Sequence, residues 1–78
     1  MFLKVKLYGT LRRLSQLETP GLWQGEVPDG ITIFNLIEYL GTRPEEVAAA
    51  TINRVPCSLE TIIQDGDEII LVTPFGGG

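Results

Sequence analysis

The alternation of apolar and polar positions divides the chain into strands at both ends and one clear helix between them. In residues 2–8, Leu3, Val5 and Leu7 alternate with Phe2, Lys4, Lys6 and Tyr8. That is the period of two of a strand, and the leucine–valine set should face a core. Gly9 and Thr10 punctuate its end. Leu11 and Leu14 enclose Arg12 and Arg13 in what reads as a helical turn, and Thr19-Pro20-Gly21 marks a loop. Residues 22–27 form a second strand that returns along the first as a long-looped hairpin, closed by the Pro28-Asp29-Gly30 turn. Thr32 then stands as an N-cap. Ile33, Leu36, Ile37 and Leu40 follow at the i, i+3, i+4, i+7 spacing of an amphipathic helix, and Gly41 supplies the stop.

The second half carries weaker signals and one strong one. Pro44-Glu45-Glu46-Val47 reads as a further helical turn, with proline first and the acids toward its positive end. Residues 49–55 read as a third strand, with Ala50 and Ile52 on one face. Residues 56–64 read as a connection. Asp65-Gly66-Asp67 is a tight turn, and 69–73 is a nearly unbroken apolar run that predicts a central strand. The order β-β-α-β-β places the helical crossover between the first and last strands. Those two strands should therefore lie side by side and parallel in a mixed four- or five-stranded sheet with one helix packed across it. This is an α+β architecture, the β-grasp.

Composition narrows what such a domain can do. At 78 residues the chain is one domain, 1–78, with a core too small to be more than marginally stabilising. Six Lys and Arg against ten Asp and Glu leave a net charge of −4, which lacks the basic footprint of a nucleic-acid or anionic-membrane binder. There is no histidine, so histidine-based catalysis and histidine metal sites are excluded. The single cysteine, Cys57, excludes an intrachain disulfide and a cysteine-ligated cluster. No metal and no bound cofactor are expected. No stretch is apolar enough to span a membrane, and the N-terminal segment is too charged for a signal peptide. Together with the unpaired thiol, this makes a cytoplasmic location the expectation.

The last residues stand apart. Thr73-Pro74-Phe75 leads into Gly76-Gly77-Gly78, three residues with nothing to pack and the highest ordering entropy. Extended, they reach about 10 Å, and a side-chain-free thread suits a narrow channel in another protein.

Four segments carry a family resemblance: 4–12 (Lys-Val-Lys-Leu-Tyr-Gly-Thr-Leu-Arg), Ile52-Asn53, Asp65-Gly66-Asp67-Glu68-Ile69, and the closing Gly77-Gly78. Together, and in this order, they resemble the MoaD/ThiS family of ubiquitin-like sulfur carriers. The first segment is more like MoaD, whereas the triple-glycine tail is more like some ThiS chains. The resemblance implies that the Gly78 carboxylate is adenylated at the expense of ATP by a MoeB- or ThiF-like E1 activating enzyme. Sulfur from a persulfide-bearing donor protein would then convert it to a thiocarboxylate. Gly76 and Gly77 would thread the tail. Tyr8, Arg12, Pro56, Val72 and Phe75 would dock the activating enzyme and a MoaE-like large subunit of molybdopterin synthase, or thiazole synthase in a ThiS-type pathway. Such a carrier is not itself an enzyme. A ubiquitin-like modifier joined to lysines through Gly78 and a plain interaction module remain as alternatives. Tyr8 and Val72 should point away from the helix and lie close together if the first and last strands are parallel neighbours. Cys57, with no histidine to depress its pKa, reads as a small packing residue. Trp23 reads as packing at the edge of the second strand.

Overall fold

In the computed structural model, which describes residues 1–16 and 18–73, the first two strands and the last form where the sequence pattern places them. Strand β1 (Phe2–Leu7) pairs antiparallel with β2 (Leu22–Glu26). Helix α1 (Ile33–Tyr39) follows. Strand β3 (Ala49–Ile52) turns at once into the short β4 (Val55–Pro56), and β5 (Glu68–Val72) closes the sheet. Two 3-10 helices, Gly9–Leu14 and Pro44–Glu46, occupy the two predicted helical turns. The strand order is β2-β1-β5-β3-β4. β1 and β5 lie at the centre and run parallel, in the register Val5↔Ile69 and Leu7↔Leu71.

The parallel pair is where the core is deepest. Leu3, Val5, Leu7, Ile69 and Leu71 project from one face of the sheet and are at most 1% exposed. Ile33, Leu36 and Ile37 come down on them from the helix, with Leu11 and Ile63 filling the ends. The helix is short but held at both ends. Thr32 and Asn35 form a reciprocal capping box, in which the Thr32 hydroxyl accepts from Asn35 N–H and the Asn35 amide oxygen accepts from Thr32 N–H. Gly41 leaves the helix at φ +91°, a conformation that costs glycine little.

One expectation is corrected. Residues 49–55 are not a single strand, and 56–64 is not merely a connection. The strand stops at Ile52, and Asn53 and Arg54 both take positive φ (52° and 69°), as the two central residues of a tight hairpin do. The chain then returns as β4, with Thr51 opposite Pro56. Asn53 makes the turn possible. Its side-chain oxygen accepts from Glu68 N–H at 2.9 Å, and its Nδ2 donates to Asp67 Oδ1 at 3.0 Å. Asp67 Oδ2 in turn accepts from Gln64 N–H at 2.8 Å, closing the Asp65-Gly66 turn. The Ile52-Asn53 and Asp65–Glu68 segments of the sequence are thus one interlocked unit joining the end of β3 to the start of β5. Proline is tolerated in β4 because this strand is an edge. Cys57 N–H bonds Ala50 O, so the alternate position 56 faces outward, where no donor is needed.

Candidate partner-docking face

The helix covers one side of the sheet, so the alternate residues of every strand form an open face. Tyr8 follows directly on β1, and its N–H donates to Leu71 O at 3.0 Å. The parallel register therefore sets Tyr8 beside Val72, and Val72 pairs with Ala49 on its other side. Tyr8 is half exposed and Val72 half buried. The next row runs Leu22, Lys6, Ile70, Thr51, Pro56 across all five strands. Tyr8, Val72 and Pro56 thus lie on one surface, with Pro56 two strands from Val72 on the exposed rim. This face is a mixed apolar strip, since Tyr8, Leu22, Ile70, Val72 and Pro56 alternate with Lys4, Lys6 and Glu68.

Arg12 reaches the same region from the 3-10 helix. With Lys6, Tyr8, Pro20, Gly21 and Leu22 it lines an open cleft of about 420 Å³ at the end of β1 and β2. Lys6 is itself drawn toward Glu68 at 3.7 Å, and Arg54 approaches the same carboxylate at 3.6 Å. Arg12 makes no ion pair with any described residue. Of the sequence-derived docking residues the structure brings Tyr8 beside Val72 and sets Arg12 in the cleft with Tyr8, while Pro56 stands apart on the far rim of the same face. The other candidates, Phe75, Gly76, Gly77 and Gly78, lie outside the described residues. Ile70 and Leu22 share this face and were not among the sequence-derived candidates; Ile70 was legible, whereas Leu22 needed the structure. Ile70 is the alternate residue between Glu68 and Val72, and Leu22 is fixed by the register of the first hairpin.

Among the described residues no group of three His, Cys, Asp or Glu side chains is placed to hold a metal ion. Cys57 packs against the core with its Sγ 3.5 Å from Ala50 O, and burial pushes its thiol pKa up, away from a reactive thiolate. Glu46 belongs to a structural clasp. Arg13 Nη2 donates to Glu46 Oε2 at 2.6 Å and to Thr42 Oγ1 at 3.3 Å, and Arg13 Nη1 donates to Thr10 O at 3.2 Å. This ties the two 3-10 helices together, and the hydrogen bond from Arg13 holds the Glu46 carboxyl below its ordinary pKa. Trp23 packs at the β2 edge as expected, edge-on to Tyr39 with ring centroids 6.1 Å apart. No helix of the described residues is long and apolar enough to cross a membrane.

A mixed sheet with parallel central strands, one crossing helix and an open apolar face defines a ubiquitin-like β-grasp protein. A model of the ThiS family matches residues 5–78, and the chain belongs to that family. It is thus a ThiS-family protein with a ubiquitin-like fold. Solved structures share the fold at low sequence identity. A Pyrococcus furiosus protein provisionally assigned as molybdopterin converting factor subunit 1 is similar at 22% identity, with 95% of this chain and 98% of that chain covered and a TM-score of 0.70. SAMP1 from Haloferax volcanii is similar at 17% identity over the whole of both chains, with a TM-score of 0.67. A second structure, of H. volcanii small archaeal modifier protein 1, is similar at 16% identity, covering 94% of this chain and 97% of that chain, with a TM-score of 0.67. No curated protein matches the chain in sequence.

Proposed function

We propose that this protein is a sulfur carrier whose Gly78 carboxylate is activated and converted to a thiocarboxylate for molybdopterin synthesis, in the manner of MoaD. The observation that carries the reading is the placement of β5. The strand that leads to the glycine tail is the central strand of the sheet, and it brings Val72 beside Tyr8 on the open apolar face. A partner that docks on this face is therefore in register with the chain as it leaves the domain. Family membership over residues 5–78 supports the carrier part of this reading.

In this proposal the carboxylate oxygen attacks the α-phosphorus of ATP on an E1-like activating enzyme, and pyrophosphate leaves. The outer sulfur of a persulfide donor then bonds to the acyl carbon as AMP departs. A thiol cleaves the remaining S–S bond to release the thiocarboxylate. The carrier contributes geometry only. Gly76 and Gly77 let the tail thread, and Tyr8, Arg12, Pro56, Val72 and Phe75 hold the domain against the activating enzyme and then against a MoaE-like large subunit. The client is a pterin precursor held by that subunit. Thiazole synthase is the second reading, favoured by the match to the ThiS family model.

The test is the intact mass of the protein isolated from its own cells, together with a variant lacking Gly78. Exchange of one oxygen for one sulfur at the C-terminus is the expected result, whereas an isopeptide bond to a lysine would replace the carrier reading with that of a protein modifier. Deleting Gly78 should abolish adenylation at unchanged melting temperature, and normal sulfur transfer by the truncated chain would overturn the proposal. Gly77→Val should impair the same step, because a β-branched residue resists threading where backbone must pass close to channel walls.

A further inference from the structure

Both edges of the sheet are closed, but by different devices. At β4 the closure is Pro56, whose outward position lacks an N–H. At β2 it depends on two side chains and one loop amide. Leu7 N–H bonds Gly21 O and Val27 N–H bonds Met1 O, so the odd-numbered residues of this hairpin hydrogen-bond to β1. The backbone groups of Leu22, Gln24 and Glu26 therefore point outward. Each outward carbonyl is occupied. Leu22 O accepts from Gln16 N–H at 3.2 Å, Gln24 O from Gln16 Nε2 at 2.7 Å, and Glu26 O from Tyr39 Oη at 3.1 Å. The N–H groups of Gln24 and Glu26 have no partner among the described residues.

From this pattern we infer that β2 is a latent self-pairing edge, and that Gln16 and Tyr39 are the guards that stop it joining a second copy of this chain. The register of such a dimer follows from the groups available. Antiparallel pairing about a two-fold axis through Gly25 sets Gln24 opposite Glu26 of the other copy, twice. Each pair exchanges two hydrogen bonds, so four bonds form from the two N–H groups without a partner among the described residues and the two guarded carbonyls on each chain. Gly25 meets Gly25 on the axis, where neither strand carries a Cβ and one face of each glycine is covered by its own Trp23 ring. Each Glu26 faces a neutral glutamine rather than another acid. Two five-stranded sheets become one of ten strands. The guards act from outside the strand: Gln16 from the loop before β2 and Tyr39 from the last turn of α1, its ring seated on Trp23.

The experiment is the double variant Gln16→Ala/Tyr39→Phe, which frees Gln24 O and Glu26 O and removes no core side chain. Sedimentation equilibrium should show a monomer–dimer equilibrium at least about a hundredfold tighter than in the wild-type chain. Amide hydrogen exchange at Gln24 and Glu26 should slow as protein concentration rises. Adding Gln24→Pro, which removes an outward donor on an edge where proline is tolerated, should return the variant to monomer. Tyr39→Phe alone, the mildest change, should give intermediate association if the double variant does not fold. A folded double variant that remains as monomeric as the wild type would overturn the inference. So would a wild-type chain that already pairs through Gln24 and Glu26, or association that Gln24→Pro does not reverse.

Discussion

Asn53 shows how much one residue decides in a domain this small. It holds φ at 52°, accepts from Glu68 N–H, donates to Asp67, and sends its own N–H to Glu68 O at 2.8 Å. Alanine can replace none of the side-chain bonds and resists left-handed backbone. Asn53→Ala should therefore lower stability by about 1–3 kcal/mol in urea denaturation. Its neighbour Arg54 should behave in the opposite way. It stands at φ 69° with its side chain 80% exposed, and its approach to Glu68 is a surface contact of little worth. Arg54→Gly should raise stability by about 1 kcal/mol by relieving the left-handed backbone. At Glu46 the expected effect is on pH dependence. Its carboxyl pKa is held below the ordinary value by the hydrogen bond from Arg13, so the native state favours the ionised form. The resulting stabilisation is complete above the ordinary carboxylate pKa and is lost as pH falls through the depressed native value. Glu46→Gln should flatten the acid limb of a plot of melting temperature against pH while leaving the rest of its shape unchanged.

At the scale of elements, the helix and the two central strands were legible because their periodicities are strong and their boundaries are chemically marked. Thr32 and Gly41 stand at the two ends of α1, and the Leu3, Val5, Leu7 alternation survives intact as the buried face of β1. The β3–β4 hairpin was not legible. Its turn is Asn-Arg rather than the Asn-Gly or Asp-Gly that signals such hairpins, and Pro56 argues against a strand unless that strand is known to be an edge. The capping box was half legible, since Asn35 stands where glutamate or glutamine is usual. The open face was legible as a pair, Tyr8 and Val72, because parallel neighbours follow from the crossover. Its breadth was not, since placing Leu22 and Pro56 on the same surface needs the registers of the two outer hairpins. The helix contributes its energy through Leu36, which is fully buried over β1 and β5. Leu36→Ala should cost about 2–5 kcal/mol, a large share of the stability of a domain this size. Thermal denaturation with and without a stabilising osmolyte would show a variant that is largely unfolded at 37 °C and recovers with the osmolyte.

For the whole molecule, the division between a helix-covered face and an open one predicts which substitutions separate folding from binding. Tyr8 is half exposed and joins no core. If the open face docks successive partners as proposed, Tyr8→Ala should weaken binding to the activating enzyme and to the large subunit by about thirtyfold or more, as for aromatic anchors elsewhere. The melting temperature should barely move. Titration calorimetry with each partner measures the first effect and thermal denaturation the second. A single face serving both partners also requires that they compete, so a carrier already bound to the large subunit should be refused by the activating enzyme in a pull-down.

The parallel union of β1 with β5 has a consequence for synthesis. Of the five strands of the domain β1 is made first and its central partner β5 last, and loop closure over everything between them must precede that pairing. Until β5 is free of the ribosome, β1 has only β2 beside it, a two-stranded ribbon too weak to persist alone. A message cut short, or a chain clipped anywhere before Glu68, leaves the leucines of β1 without their cover and the product open to proteolysis. The architecture therefore acts as a quality check on β5: chains that survive as folded domains are those in which translation has passed through it.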